Sequence, residues 1–262
     1  MGVKERLREN QRPILGLVSV VGFFLLWEFL LTYVVTLNPF FISKPSLIAS
    51  SAGRLITGGE LWQNLYVSGK AFSLGFLAAV LVGIPIGVIM GWRRRVAYAL
   101  DPLLTAFYSA PLVALAPLLI IMFGVGIKSK AILIFLLAVF PFIFNAFAGV
   151  QSVEPLLINV VRSLGGKERH LYFKVILPSI LPYIVAGTRI AIGRGIVGII
   201  VGEFYAASEG IGYLLLSYGD NYQLSEMFVI ILVLMIIAAA FTEGLRRAEL
   251  AIAPWRSGRE VK

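Results

Sequence analysis

The chain is 262 residues long, 59% of its residues are hydrophobic and only 14% are charged. A soluble domain is nearer half apolar and a quarter charged, so this composition excludes an ordinary soluble protein and indicates that lipid surrounds most of the chain. The net charge of +9 does not indicate a nucleic-acid partner, because the basic residues lie between apolar runs, as in membrane proteins. The chain has no cysteine and one histidine, His170, which excludes disulfides, thiol chemistry and a multi-histidine metal site.

About six apolar runs are long enough to cross a bilayer, which takes about 20 helical residues. The sequence therefore predicts an all-α integral membrane protein. The predicted spans cover about residues 14–37, 65–91, 100–123, 131–150, 183–204 and 226–245, between an N-terminal segment (1–13) and a C-terminal tail (246–262). The first run is too long for the apolar region of a signal peptide. An amphipathic stretch within residues 38–63 is expected to lie on the membrane or against the bundle.

The charges between the spans predict the orientation of the chain, because lysine and arginine favour the cytoplasmic side of a membrane. Most of them fall in residues 1–13, 92–99, 151–182 and 246–262. The alternate segments hold Lys44, Arg54, Lys128 and Lys130. We therefore expect both termini and the segment at residues 151–182 on the cytoplasmic face.

The polar segment at residues 151–182 has the pattern of two short helices joined by a tight turn. Pro155 suits the first turn of a helix, and apolar residues then recur at helical spacing. The pair Gly165-Gly166 is predicted to break this helix, because glycine tolerates the backbone angles of a tight reversal. A second short helix is expected over KERHLYFKVI, ended by Pro178 and Pro182. This arrangement indicates a docking element for another protein.

The same segment carries a spaced motif. Gly165 is followed after nine residues by Val175, and Leu177-Pro178 comes one residue later. This spacing resembles the cytoplasmic loop signature of ABC importer permeases. The Glu-Ala-Ala triplet that precedes the glycine in that family is absent, since its positions hold Asn159, Val160 and Val161.

Further runs are similar to one branch of that family, the nitrate/sulfonate/taurine type. They are RSLG in the polar segment, LPSILPYIVAGTRIAIGR directly after it, APLVALAPLLIIMFGVGIKSK in the third span and GEFYAASEGIGYLL after the fifth. The resemblance covers most of the chain beyond about residue 64. It implies the fold of a type I ABC importer permease in the plasma (inner) membrane.

The resemblance also implies the rest of a transport machine. Two permease subunits, most simply identical, would form a path for a small anion such as nitrate, a sulfonate, taurine or bicarbonate. Two ATPase subunits would bind ATP and Mg²⁺, and an extracytoplasmic binding protein would deliver the solute. The chain itself has no G-x-x-x-x-G-K-[ST] run and no nucleophile motif, so we expect no catalytic residue, cofactor or metal in it.

The segment at residues 151–182, called the coupling loop from here on, is the predicted contact with the ATPase. Tyr172 and Phe173 suit the anchors of such an interface, and basic residues suit its rim. The predicted coupling residues are Arg162, Ser163, Leu164, Gly165, Gly166, Lys167, Arg169, His170, Leu171, Tyr172, Phe173, Lys174 and Pro178.

Ionisable residues inside the spans indicate a path, because they are costly in hydrocarbon and usually face the interior of a bundle. Arg194 lies about eleven residues into the fifth span, which places it near the midplane. It either meets an anionic solute or pairs with a carboxylate on another helix. Tyr108, Ser109 and Asn145 are the other predicted path residues, although polar side chains also bridge helices.

Other polar and small residues in the spans have simpler interpretations. Glu28 is expected to be a partnered carboxylate, and no role is assigned to Lys70 or Glu203. The faces Gly83/Gly87/Gly91 and Gly198/Gly202 are predicted to be packing surfaces, within one subunit or across a dimer.

Three alternatives remain open. A gradient-driven secondary transporter needs no ATPase, but it leaves the coupling loop unexplained and would often show an internal repeat. A membrane scaffold needs no polar path. An ABC permease for another solute, such as an amino acid, a phosphonate or a vitamin precursor, differs from the favoured function in its solute alone.

Overall fold

The computed structural model describes residues 3–34, 42–206 and 208–252, and within these ranges every regular element is a helix. In chain order the helices are α1 (Val3–Phe29), α2 (Pro45–Thr57), α3 (Glu60–Trp92), α4 (Arg94–Ser109), α5 (Ala116–Phe123), α6 (Ile127–Gln151), α7 (Pro155–Ser163), α8 (Glu168–Leu171), α9 (Leu177–Ala206), α10 (Ile211–Asp220) and α11 (Leu224–Ile252). Two π-helical turns, Leu30–Val34 and Tyr172–Ile176, and a 3₁₀ turn, Leu112–Leu115, adjoin them. The all-α prediction is confirmed for the described residues.

Four helical stretches among the described residues are long and apolar enough to cross a membrane. They are Glu60–Trp92, Ile127–Gln151, Glu168–Tyr205 and Leu224–Leu250. The helices α4 and α5, bent by 78° relative to each other, make a fifth if the pair is taken as one span. The first predicted span contains the shorter apolar helix Val18–Val34, and its last residues lie outside the described ones. The basic tail beyond residue 252 also lies outside them.

The bend between α4 and α5 follows from proline chemistry. Ala110 is extended, with φ −70° and ψ 146°. The ring of Pro111 disfavours helical angles at the residue before it, so α4 ends at Ser109. The third predicted span, residues 100–123, is therefore a broken helix.

Within the described ranges, the residues up to 62 pack with residues 214–232 as one unit, and those of 63–213 pack with the residues from 233 onward as another. In the first unit, the predicted amphipathic stretch forms α2, which buries Ile48 and Leu55 on one face. The Glu28 carboxylate accepts hydrogen bonds of 2.9 Å from the backbone N–H and from the hydroxyl of Ser46. The expectation that Glu28 is partnered is confirmed.

The second unit is built around α6. In its most apolar window 56% of the residues are buried, among them Leu133, Ile134 and Phe142. Both α3 and α9 pack against it, so the apolar side chains of three helices form one core. This burial explains why α6 is apolar on every side.

Glycines let the backbones of α3 and α9 reach α6. A Cβ atom added to Gly83 would lie 2.7 Å from the Cβ of Phe142, and one added to Gly198 would lie 2.9 Å from a methyl carbon of Leu137. Both are closer than carbon atoms pack. The prediction that these glycine faces are packing surfaces is confirmed, and the contacts lie within this unit.

Substitution of Gly87 tests this packing. Its added Cβ would overlap the carbonyl oxygen of Ile143 and lie 2.8 Å from the Cβ of Ala146. We expect Gly87→Ala to lower the unfolding free energy by about 1–3 kcal/mol, the usual cost of overpacking.

The matched control is Gly193→Ala on α9, where an added Cβ meets nothing within 4 Å. Alanine is a better helix former than glycine by about 1 kcal/mol, so this variant should melt at or above the wild-type temperature. Thermal unfolding in detergent measures both changes. Equal melting temperatures for the two variants would contradict the close contact between α3 and α6.

The prediction that Pro178 and Pro182 end the second short helix is wrong. The chain is helical without interruption over Glu168–Tyr205. Pro178 is the second residue of α9 and directly follows the π-helical turn, a local adjustment by which membrane helices accommodate the N–H that proline lacks. Pro182 lies inside the helix, and the buried neighbours Ile176 and Ile180 hold it to the bundle.

Candidate functional site

The first half of the coupling loop folds as the sequence predicts. Helix α7 begins at Pro155 and ends in a turn at Gly165, whose φ of +74° suits glycine. The N–H of Gly165 donates to the carbonyl of Arg162 at 3.0 Å, and that of Gly166 donates to Val161 at 2.9 Å. This pair of bonds closes the helix end in a Schellman motif, so the turn has a defined shape.

A second cap begins the helix that follows. The backbone N–H of Lys167 donates to Nδ1 of His170 at 3.0 Å. His170 therefore holds the start of α8, and its imidazole has a structural role in the loop.

The coupling loop has an outer face and an anchored face. Phe173 is 57% exposed and Leu164 is 82% exposed. Ile176, in contrast, packs with Val88 of α3 and Ala146 of α6. Leu171, predicted as a contact residue, is 1% exposed and belongs to the anchored face. The anchored face therefore attaches the coupling loop to α3, α6 and α9.

The outer face is basic and partly apolar. The exposed predicted residues are Arg162, Ser163, Leu164, Gly165, Lys167, Arg169, His170, Phe173 and Lys174, while Gly166, Tyr172 and Pro178 are half-buried. Arg162 forms an ion pair of 3.5 Å with Glu168. The guanidinium of Arg169 lies 5.9 Å from the centre of the Phe173 ring, a cation–π distance. Aromatic and basic groups of this kind are the ones that dominate protein interfaces.

The structure brings two of the predicted path residues together. The Arg194 guanidinium donates to the Tyr108 hydroxyl at 2.9 Å and lies 4.4 Å from the centre of its ring. The partner of Arg194 among the described residues is therefore a tyrosine and not the carboxylate of the alternative interpretation. The Tyr108 ring itself rests on Phe144, with 5.2 Å between ring centres.

The other two predicted path residues bond to their own helices. The Ser109 hydroxyl donates to the carbonyl of Thr105 at 2.8 Å. The Asn145 amide donates to the carbonyl of Pro141 at 2.8 Å. Asn145 also lies at the contact of α6 with α9, since a Cβ on Gly187 would come 2.9 Å from the Asn145 Cβ.

A buried polar centre, here called the Glu203 cluster, was not predicted. The Glu203 carboxylate accepts hydrogen bonds from Ser68 at 2.8 Å, from Lys130 at 3.1 Å and from the backbone N–H of Gly212 at 2.7 Å. Lys130 and Glu203 are 5% and 1% exposed. Lys130 was expected in an outer loop, but it lies in α6.

The Glu203 cluster fixes the turn that leads into α10. Asn64 accepts from the N–H of Gly210 at 2.6 Å, and the Ser68 hydroxyl accepts from the N–H of Ile211 at 2.8 Å. Gly210 has φ +121°, an angle that side chains rarely adopt. The signal available in the sequence was a pair of opposite charges near the ends of two neighbouring predicted spans.

Among the described residues outside the apolar spans, Tyr218 of α10 has a strongly changed pKa. Its hydroxyl donates to the Glu60 carboxylate at 3.0 Å. Partial burial, and then this hydrogen bond to a carboxylate, raise the pKa of Tyr218 to about 12. The phenol therefore stays protonated at physiological pH and keeps its bond to Glu60.

Comparison with known proteins places the chain in a family. A family model described as the binding-protein-dependent transport system inner membrane component matches residues 83–248, well over half of the chain. The chain belongs to this family. The matched region includes the coupling loop, Arg194, Lys130 and Glu203, but not Ser68.

Curated relatives are similar to this permease over most of its length. The taurine transport system permease protein TauC of Escherichia coli (strain K12) is 34% identical over 84% of this chain and 82% of its own. The putative aliphatic sulfonates transport permease protein SsuC of Bacillus subtilis (strain 168) is 33% identical over 84% of this chain and 79% of its own. The predicted membership of the nitrate/sulfonate/taurine branch is confirmed.

A solved structure has a similar fold. A chain of the MetNI methionine ABC transporter, in an inward-facing conformation, has a TM-score of 0.63 at 17% identity, covering 73% of this chain and 97% of that one. The all-α permease fold is thus shared with an ABC importer. The chain is a multi-pass inner-membrane transport component of a non-catalytic family.

Proposed function

We propose that this permease forms the membrane path of an ABC importer for a small sulfonate-like anion. The similarity to permeases named for taurine and for aliphatic sulfonates supports this solute class. An extracytoplasmic binding protein delivers the solute, and a separate ATPase binds ATP and Mg²⁺ and drives the cycle. Six spans, counting α1 and the bent α4–α5 pair, carry the chain across the membrane with both termini cytoplasmic.

The coupling loop is the proposed contact with that ATPase. Two permease chains, most simply identical, would each present Phe173 and the basic rim to one ATPase subunit. Closure of the ATPases on ATP would press on the outer face of the loop. Because Ile176 and Leu171 are buried against the bundle, the loop would move α9 with it, and the two permeases would rock between inward- and outward-facing states.

Arg194 and Tyr108 are the proposed contacts of the path. Their hydrogen bond leaves further N–H donors of the guanidinium free to bind an anion. Tyr108 lies one residue before the end of α4, beside the break at Ala110. A helix break is tolerated at membrane depth where it lines a cavity, which supports a path at this place.

Solute uptake tests the proposed function. Cells from which this gene has been deleted should lose uptake of labelled taurine or a short alkanesulfonate, and the wild-type gene should restore it. Methionine uptake serves as the control and should be unchanged. Normal sulfonate uptake in the deleted strain, with loss of a different solute, would overturn the assignment of the solute class.

The role of Arg194 is tested in the same assay. We expect Arg194→Met to lower uptake at subsaturating solute by roughly 10–100-fold, since a hydrogen bond to a charged group contributes about 1.5–3 kcal/mol. Tyr108→Phe keeps the ring and should lose far less. Basal ATP hydrolysis should persist in both variants, and wild-type uptake by Arg194→Met would exclude Arg194 from the path.

A further inference from the structure

A cavity of about 820 Å³ lies where α3 ends and α4 begins. It is lined by Arg93, Arg94 and Arg95 together with Ile89, Trp92 and Tyr172. The three arginines meet there because α3 stops at Trp92 and Arg93 is extended, with φ −117° and ψ 96°. The junction is fixed by the N–H of Arg93, which donates to the carbonyl of Ile89 at 2.8 Å.

The three arginines give this cavity a positive charge. All three arginines are exposed, and none forms an ion pair with a carboxylate in the part of the chain that the structure describes. Arg162, nearby in the coupling loop, does have a carboxylate partner, Glu168 at 3.5 Å. Three adjacent unpaired guanidiniums favour an anionic occupant, and phosphate fits their planar donors well.

The apolar walls of the cavity indicate that its occupant also has an apolar part. Ile89 is 49% exposed although it lies in the last turn of an apolar helix. Trp92 and Tyr172 carry the two side chains that prefer the boundary between hydrocarbon and water. A soluble anion would satisfy the arginines but would leave this apolar wall uncovered.

We propose that the cavity binds the headgroup of an anionic phospholipid. The phosphate would lie among Arg93, Arg94 and Arg95, and an acyl chain would run along Ile89 toward the membrane. The apolar stretch Glu60–Trp92 ends directly before the arginines, which places them at headgroup depth.

The bound lipid would join two parts of the fold. Tyr172 is the first residue of the π-helical turn in the coupling loop, and it packs beside Ile176 in the core of the bundle. A lipid that contacts both the α3–α4 junction and Tyr172 would therefore restrict the motion of the coupling loop. This inference does not depend on the proposed solute or on the ATPase.

Native mass spectrometry of the full-length protein, measured alone and with its bound subunits, tests the site. The protein is released from nanodiscs of equal parts phosphatidylglycerol and phosphatidylcholine with matched acyl chains. We expect retained phosphatidylglycerol in excess over phosphatidylcholine in the wild type. In the Arg93→Gln, Arg94→Gln, Arg95→Gln variant this excess should fall at least roughly tenfold.

Two controls separate charge from shape. Replacement of the same three residues by lysine keeps the charge and should keep most of the excess. Arg246→Gln with Arg247→Gln removes two exposed arginines that already pair with Glu243 and should change nothing. Equal retention of phosphatidylglycerol by the wild type and the triple glutamine variant would overturn the proposal.

Two further measurements test whether a soluble anion or a partner protein occupies the cavity instead of a lipid. Millimolar inorganic phosphate should leave the retained lipid in place, and displacement by it would show a soluble-anion site instead. The lipid should also remain when the partner subunits are bound. If it leaves on assembly and Arg94 instead cross-links to a partner carboxylate, the surface is a protein contact and the lipid proposal fails.

Discussion

Glu203→Gln should be among the most destabilising single changes in this permease, lowering the unfolding free energy by about 3–5 kcal/mol. The amide removes the charge that balances Lys130, a residue that is 5% exposed and whose ammonium lies 3.1 Å from the Glu203 carboxylate. A buried charge without a partner costs several kcal/mol, which is a large part of the stability of most proteins. The yield of monodisperse protein and its melting temperature in detergent measure the loss.

A double variant that removes both charges shows whether the unpaired charge of Lys130 causes the loss of stability. Lys130→Met with Glu203→Gln removes both charges, so we expect the double variant to recover much of the loss, as replaced buried pairs often do. Glu243→Gln is the matched control, because Glu243 forms exposed pairs with Arg246 and Arg247, and exposed pairs contribute little to stability. Wild-type melting of Glu203→Gln would contradict the charged cluster.

Phe173→Asp should abolish ATPase binding while the permease itself stays folded. The Phe173 ring is 57% exposed, so a carboxylate there stays hydrated and does not disturb the core. Aromatic anchors of interfaces contribute about 2 kcal/mol or more, and the new carboxylate would also attract the Arg169 guanidinium, which lies beside the Phe173 ring, and so withdraw it from the basic rim. We expect the dissociation constant of the ATPase to rise by more than roughly 30-fold, since 2 kcal/mol is a factor of that order, and little ATPase to co-purify.

Two further variants serve as controls for Phe173→Asp. Phe173→Leu keeps an apolar anchor and should retain most of the binding. Leu171→Asp places a charge at a buried position, so it should lower the yield of folded permease as well. Normal ATPase binding by Phe173→Asp would contradict the assignment of the coupling loop to the ATPase interface.

Local patterns in the sequence predicted the parts of the fold that depend on neighbouring residues. The turn at Gly165 needs a positive φ, and glycine supplies it without regard to the rest of the chain. The glycine rows on α3 and α9 likewise predict close packing, because small residues let the backbones of membrane helices approach each other. Most of the predicted coupling residues are exposed in the structure, and their contact with an ATPase stays a prediction.

Contacts between distant residues were not predicted. Lys130 and Glu203 are far apart in the chain, and only the packing of α6 against α9 brings them together. The choice of Tyr108 as the partner of Arg194 also depends on helix rotation, which one sequence does not reveal. The helix through Pro178 and Pro182 was missed because burial of Ile176 and Ile180 outweighs the usual effect of proline.

The source of energy for transport is the most direct test of the account. The permease, its ATPase and its binding protein would be reconstituted in vesicles, and solute uptake would be measured with ATP, with an ion gradient, or with neither. We expect uptake only with ATP, with both partners present, and without effect of an ionophore that collapses ion gradients. Uptake by the permease alone, driven by a gradient and abolished by the ionophore, would contradict the account and establish a secondary transporter.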